Sequence, residues 1–303
     1  MPHLTRREWF AAASLALTAR PAFADSPRIP LGFSLYGMKS LPLAEAIAAC
    51  AKIGYDGVEF ALMPGYSSEP KRLSADARRE LRTRLRDSKL ALHGLMENLV
   101  EPSADAVHGA NLDRLKAAAE LGHALAPDST PVIETILGGK PADWDKVKDK
   151  MVERLQAWAA AAKESKAVLA IKLHVGNALH AVAGAKWLVE RVDSPHLKLG
   201  FDFSHLVLRG EKLADAAKAL LPHAAFIHVK DAKGTPEKFE FLLPGDGGTD
   251  YVEYVRLLTA AKYAGPVVVE VSGMISNKTG YDPVAAATKS YANLARAFGR
   301  RAG

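Results

Sequence analysis

Two hydrophobic periods alternate along this chain, and that alternation leaves few architectures open. Short runs rich in β-branched and aromatic residues, bounded by turn residues, read as strands: Ile29–Tyr36, Gly57–Leu62, Leu90–Glu97, Pro131–Leu137, Val168–Val175, Leu197–Ser204, Ala225–Lys230 and Pro266–Val271. Between them lie stretches at helical spacing: Leu43–Ile53, Ala75–Ser88, Leu112–Leu125, Trp144–Lys163, Ala178–Arg191, Lys212–Leu221, Tyr251–Tyr263 and Pro283–Phe298. Helix starts carry capping signals, such as Ser74 ahead of Asp76 and Asp282-Pro283 before the last helix. Continuous apolar runs such as Val267-Val268-Val269 suit parallel strands covered on both faces. Right-handed β/α units repeated eight times close into a TIM barrel, so the expected fold is a single (β/α)8 α/β domain over residues 25–303. A doubly wound open sheet is the alternative, but Gly-x-Gly-x-x-Gly is missing after the first strand. P-loop, His-Glu-x-x-His, Gly-x-Ser-x-Gly and Cys-x-x-Cys patterns are missing too.

Residues 1–24 stand apart from this pattern. The Arg6-Arg7 pair precedes the small apolar run Ala11–Ala19, and Ala22-Phe23-Ala24 supplies an A-x-A cleavage site. The run is far shorter than the ~20 residues of a membrane span. The expectation is a twin-arginine signal peptide over 1–24, cleaved near Ala24. The twin-arginine export machinery would be a partner and the periplasm the working place, with no stable membrane span after cleavage. The single Cys50 sits in a helical run as a core residue and excludes an intramolecular disulfide. The composition, 49% hydrophobic and 24% charged, excludes disorder, and a net charge of +6 is modest. The basic stretch Arg78–Arg86 alternates with Leu and Glu as a solvated helix face does, so no nucleic-acid partner is expected.

In a barrel of this kind, polar residues at strand C-termini point into the active mouth. The candidates are Glu59, His93, Glu134, Lys172, His174, Asp202, His205, His228, Lys230, Asp231 and Glu270. A group such as Glu270, set in the run Val-Val-Val-Glu-Val, must be hydrogen-bonded, paired or bound to metal.

The segments Leu199-Gly200-Phe201-Asp202-Phe203-Ser204-His205, Phe226-Ile227-His228-Val229-Lys230-Asp231 and Val268-Val269-Glu270 resemble the sixth to eighth strands of the sugar phosphate isomerase/epimerase family. This is the xylose-isomerase-like TIM-barrel superfamily, which also holds endonuclease IV and inositol-pathway dehydratases. Gly54-Tyr55-Asp56-Gly57-Val58-Glu59 is similar to its second strand, and Gly245-Asp246-Gly247 to its usual Gly-acidic-Gly turn. The resemblance runs from about Ile29 to Phe298. It implies one divalent metal ion (Mn, Mg, Zn or Co) on Asp202, His228, Glu270 and a Glu after strand five, with His205 as a neighbouring substrate contact. The fourth position departs from the family: the chain reads Leu169-Ala170-Ile171-Lys172-Leu173-His174. A protonated ammonium has no lone pair to give a cation.

Three readings of Lys172 follow. The metal persists with Glu134 or His174 completing its shell. Or the ammonium takes the cation's place, salt-bridged to Asp202 and Glu270, and the metal is absent. Or Lys172 has a lowered pKa and acts as base or Schiff-base nucleophile.

The resemblance implies proton abstraction next to a sugar carbonyl through an enediolate, with Glu270, Lys172 and His205 as catalytic residues. Glu59, His93, His174 and Lys230 are then the substrate-binding set. A non-phosphorylated sugar or ketosugar is expected, because Asp246 and Asp250 occupy the loops where many barrels bind phosphate. Tyr36, Phe60, Tyr66 and Phe203 lie at or near the mouth, where aromatic rings suit a sugar's apolar face. An isomerase/epimerase is expected. Two alternatives are a lyase eliminating the aglycone from 3-keto-glycosides and a non-catalytic carbohydrate-binding relative.

Overall fold

The computed structural model describes residues 28–99 and 102–300; the signal peptide expected over 1–24 lies outside the described residues. Eight parallel strands make a closed barrel: β1 (Leu31–Ser34), β2 (Gly57–Ala61), β3 (Ala91–Glu97), β4 (Val132–Thr135), β5 (Val168–Lys172), β6 (Leu197–Asp202), β7 (Ala224–Val229) and β10 (Val267–Val269). The missing numbers, β8 (Asp231–Thr235) and β9 (Lys238–Leu242), form an antiparallel hairpin outside the barrel. The main outer helices are α1 (Leu43–Ile53), α2 (Ala75–Asp87), α3 (Asp105–Leu125), α4 (Trp144–Glu164) and α5 (Val182–Val192). The short α6 (Phe203–Val207) precedes α7 (Leu213–Leu220) and α8 (Tyr251–Ala260), and the short α9 (Gly273–Ser276) precedes α10 (Pro283–Ala295). The eight-unit barrel expected from the periodicity is therefore the fold observed.

Strand parity divides the side chains into two sets. One set (Leu31, Phe33, Val58, Phe60, Ile133, Leu169, Ile171, Leu199, Phe201, Ile227, Val229, Val267 and Val269) packs outward against the helices in one large core. Phe60 and Phe203, expected near the mouth, belong to that core. The alternate positions fill the barrel's interior. Its floor is a separate apolar cluster of Val132, Ala170, Phe226 and Val268. Gly94 leaves room for the Phe226 ring, since a Cβ there would lie 2.6 Å from it.

Local chemistry moves several element ends. Asp202 ends β6 and caps α6, its carboxylate accepting from the Ser204 N–H at 3.1 Å, so Phe203 and Ser204 are helical and not strand. Helix α3 starts at Asp105 rather than Leu112; the periodicity misses its first two turns because they carry Gly109 and few apolar side chains.

The first and last barrel strands meet at a seam, with Leu31, Gly32 and Phe33 paired to Val267, Val268 and Val269. Below it Asp56 accepts from the Leu31 N–H at 2.7 Å and pairs with the buried Arg300, which also donates to the Ile29 carbonyl at 3.0 Å. Among the described residues, no helix is long and apolar enough to cross a membrane.

Candidate active site

The inward side chains at the C-terminal ends of β4, β5, β6, β7 and β10 converge on one cavity. Lys172, the last residue of β5, directs its ammonium to two acceptors, on Glu270 and His228, and lies at ion-pair distance from Glu134, whose Oε1 makes no hydrogen bond. Nζ lies 2.9 Å from Glu270 Oε2, 3.0 Å from His228 Nδ1 and 3.3 Å from Glu134 Oε1. Lys230, one residue past β7, bridges Asp202 Oδ2 and Glu270 Oε2, the latter at 2.8 Å. Both ammonium groups are almost fully buried, and Glu270 is the most open of their partners with 12% of its side chain exposed.

Charge settles the protonation states. Burial works against a charge on Lys172, but Glu134, Glu270 and Asp202 outweigh it and raise its pKa above the ordinary lysine value. This direction disfavours the Schiff-base reading of Lys172, because that chemistry needs a free amine. Burial would raise the carboxyls of Asp202 and Glu270. The neighbouring lysines reverse this and hold Asp202 well below the usual range, as they do Glu270. Glu134 is the exception. Burial pushes it up to about 7 against the pull of Lys172, and a Glu59 oxygen within 4.8 Å adds to the rise. His174 is pushed down to about 4 by burial and by both lysines, so it is neutral. Its Nδ1 accepts from the Gly176 N–H at 3.2 Å, which leaves the proton on Nε2 facing the cavity. Burial also keeps His205 neutral; its Nδ1 accepts from the Val175 N–H at 3.3 Å and its Nε2 lies 3.5 Å from Asp202.

Two expected substrate contacts lie elsewhere. Glu59 is fully buried one layer below the cavity, where it receives the Nε2 proton of His228 at 2.9 Å. Burial disfavours a charged His228, yet Glu59 raises its pKa; with Lys172 at Nδ1, the ring accepts there and donates to Glu59. Glu59 is thus a positioning residue. His93 sits at the opposite end of the barrel. It is the extra residue of a bulge, since Val58 pairs with Leu92 and Glu59 with Gly94. Its ring fills the space above Gly32 and Gly57, where a Cβ would lie 2.3 Å and 2.5 Å away. His93 is the third residue of β3 and so lies near the start of the strand, not at its C-terminal end where a mouth residue must sit.

The sequence also understated two contributors. Phe241, from the β8–β9 hairpin, lines the cavity, with its ring centroid 4.9 Å from the Lys230 ammonium and 4.9 Å from the His205 ring centroid. Lys230 was visible in the His-x-Lys-Asp segment, but not as a second buried cation. Tyr36 lines the cavity as expected, and Tyr66 stacks on it with ring centroids 5.8 Å apart.

Among the described residues, two groups have the proximity a metal ion needs: Asp202, His228 and Glu270, and Glu59, Glu134 and His228. The donor atoms of the first do not fit one as they stand, while the second keeps Glu59 Oε1 and Glu134 Oε1 buried without a hydrogen-bond partner. Asp202 Oδ2 faces Lys230, His228 Nδ1 faces Lys172, and Glu270 Oε2 faces both. A divalent cation entering here would meet two ammonium groups at contact distance. The arrangement fits an internal ammonium at the place the family gives to the cation.

The sequence matches the family described as xylose isomerase-like TIM barrel over residues 47–294. An inosose dehydratase from Bacillus thuringiensis is 27% identical over 174 residues, which is 52% of this chain and 56% of the dehydratase. The chain therefore spans little more than half the length of that curated relative. Among solved structures, the 3-keto-D-glucoside 4-epimerase from E. coli superposes with a TM-score of 0.70 at 17% identity, covering 88% of this chain and 98% of that one. A D-psicose 3-epimerase gives a TM-score of 0.71 at 18% identity over 91% of this chain and 100% of the other.

Proposed function

From the premise that this chain belongs to the xylose isomerase-like TIM barrel family, we propose that it is a sugar-modifying enzyme moving a proton next to the carbonyl of a non-phosphorylated ketosugar, with a lysine pair as its fixed positive charge. One observation carries the reading. The Lys172 ammonium is locked among Glu134, His228 and Glu270, beside a carboxyl whose pKa is about 7.

The substrate's carbonyl oxygen sits against Lys172 and Lys230. Removing the neighbouring C–H proton shifts electrons onto that oxygen, and preorganised ammonium groups in a buried site stabilise the charge as it develops. Glu134 takes the proton, because a base works best with a pKa near the operating pH. The base role expected for Glu270 passes to Glu134, since two lysines hold Glu270 ionised and weakly basic. His174, neutral with Nε2–H outward, donates to a substrate hydroxyl. His205 holds Asp202, which anchors Lys230.

Return of the proton from Glu134 to the neighbouring carbon gives isomerisation, and delivery of a solvent proton to the opposite face gives epimerisation. Loss of a β-substituent from the same enediolate gives the lyase reaction, which the inosose dehydratase match favours as a second reading. The enzyme works in the periplasm after twin-arginine export, a reading supported by Arg6-Arg7 and the Ala22-Phe23-Ala24 site.

The test is solvent-deuterium incorporation at the carbon beside the carbonyl, measured with D-psicose, D-fructose and an inosose in chelator-treated buffer. Incorporation lost in Lys172→Met supports the proposal. Incorporation that persists in that variant, or none with any substrate, overturns it. A dehydrated product identifies the lyase.

A further inference from the structure

We propose that the Tyr36 hydroxyl is the second proton-transferring group of the cavity: it delivers a proton to the face of the enediolate opposite Glu134, so that the enzyme inverts a carbon beside the carbonyl. This rests on the proton-transfer reading above and adds the acid and the stereochemical course.

Placement gives the first reason. Tyr36 sits in the single turn Leu35–Met38 that follows β1, and Ser34, the last residue of β1, caps that turn by accepting from the Tyr36 N–H at 3.4 Å. Around the closed barrel β1 lies four strands from β5 by either route and three strands from β4. Tyr36 and Glu134 therefore line one cavity from different sides. Tyr66 stacks on the Tyr36 ring with the planes inclined by 21°, which holds the ring in place. Gly273, which also lines the cavity, makes room for the hydroxyl, since a Cβ there would stand 3.0 Å from it. The backbone beside the ring is fixed as well, because the Tyr281 hydroxyl donates to the Gly37 carbonyl at 2.9 Å.

Chemistry gives the second. Inversion needs an acid that still holds a proton after Glu134 has taken one. Among the titratable groups that line the cavity in the described residues, Glu270 is ionised, and His174 and His205 are neutral imidazoles, which are very weak acids. Both ammonium groups are committed to carboxylates, Lys172 to Glu270 and Lys230 to Asp202 and Glu270. Tyr36 keeps its proton at neutral pH, because burial and the Glu270 charge raise its pKa above the ordinary phenol value. The Lys172 charge works the other way and stabilises the phenolate left when that proton departs. The protons balance. Glu134 removes the C–H proton, and the electron pair moves onto the carbonyl oxygen. The pair then returns to the carbon, which takes the Tyr36 proton on its other face. Solvent reprotonates the phenolate while Glu134 gives its own proton to solvent, so both groups are restored.

The experiment follows deuterium from heavy water into recovered substrate and into its epimer, with D-psicose, D-fructose and an inosose as the probes. With whichever sugar exchanges, the unmodified protein should deuterate the substrate and form the epimer. In Tyr36→Phe, which keeps the stacked ring, epimer formation should fall by about 10²-fold or more, the scale of a general acid. Exchange into the substrate through Glu134 should fall far less, so that the ratio of exchange to epimer formation rises at least about 30-fold. A ratio that does not change, whether both rates persist or both fall together, overturns the inference, because a residue that only positions the substrate slows the two alike. So does an unmodified protein that exchanges but forms no epimer. Those outcomes leave the roles of Glu134 and Lys172 standing. Exchange with none of the sugars overturns the proton-transfer reading itself, and the role of Tyr36 falls with it.

Discussion

Glu134 and Lys172 divide the chemistry between them, and each makes a prediction. If Glu134 is the base, kcat rises with pH through an apparent pKa near 7 and levels off above it, because only the carboxylate accepts a proton. Glu134→Gln should lower kcat by about 10²–10⁴-fold and remove that limb from the pH–rate profile. The same shift acts on stability. The folded pKa lies above the ordinary carboxylate value, so the contribution is complete below about 4.5 and is lost as pH rises through about 7.

For Lys172, replacement by Glu removes the ammonium from among Glu134, His228 and Glu270 and supplies a hard oxygen donor. Titration calorimetry should then show Mn²⁺ binding at least about tenfold tighter than in the unmodified protein. Equal affinity would mean that Lys172 does not occupy the cation's place. The sequence placed Glu134, Lys172, His174, Asp202, His205, His228, Lys230 and Glu270 at one mouth, because strand-end position and parity suffice for that. It did not reveal which carboxylate each ammonium meets. Asp202 was expected as a partner of Lys172 but is bridged by Lys230 instead.

At the scale of elements, periodicity found the barrel strands and missed the β8–β9 hairpin. The strand Asp231–Thr235 carries no apolar alternation and the Phe239-Glu240-Phe241 alternation of its partner is too short to stand out, because the hairpin is solvated on most of its surface. Its base is fixed by Asp231, whose buried carboxylate accepts from the Gly245 N–H (2.9 Å), the Gly247 N–H (2.8 Å) and the Tyr251 hydroxyl (3.0 Å). One side chain thus ties the start of the hairpin to the turn after it and to the start of α8. Asp231→Ala strands three donors and should cost about 2–4 kcal/mol, read as a lower denaturant midpoint. Phe241 rides on the same hairpin, so KM should rise as well. An unchanged midpoint would show that the bracket is dispensable.

Across the whole molecule, the two ends of the barrel have separate duties. The C-terminal end carries the lysine pair, and the N-terminal end carries His93, a neutral imidazole pushed down to about 4 by burial. Its contribution to stability is complete above about 6.5 and is lost as pH falls toward 4, an effect on the order of 3 kcal/mol. His93→Gln is expected to lower the midpoint pH of acid unfolding while leaving deuterium exchange at neutral pH unaltered. A fall in exchange without a change in acid resistance would return His93 to the active end.

The seam between β1 and β10 sets the order of events in biosynthesis. Leu31–Phe33 emerges from the ribosome early, yet one of its two barrel neighbours is Val267–Val269, and the Asp56 clamp needs Arg300. At about 5–20 residues per second, synthesis leaves that first edge unpaired for ten seconds or more. The barrel closes only after Val267–Val269 and Arg300 have been made, so until then a nascent chain offers an open strand to which chaperones can bind. A chain truncated before Val267 loses one of the two partners of β1 and leaves the barrel open.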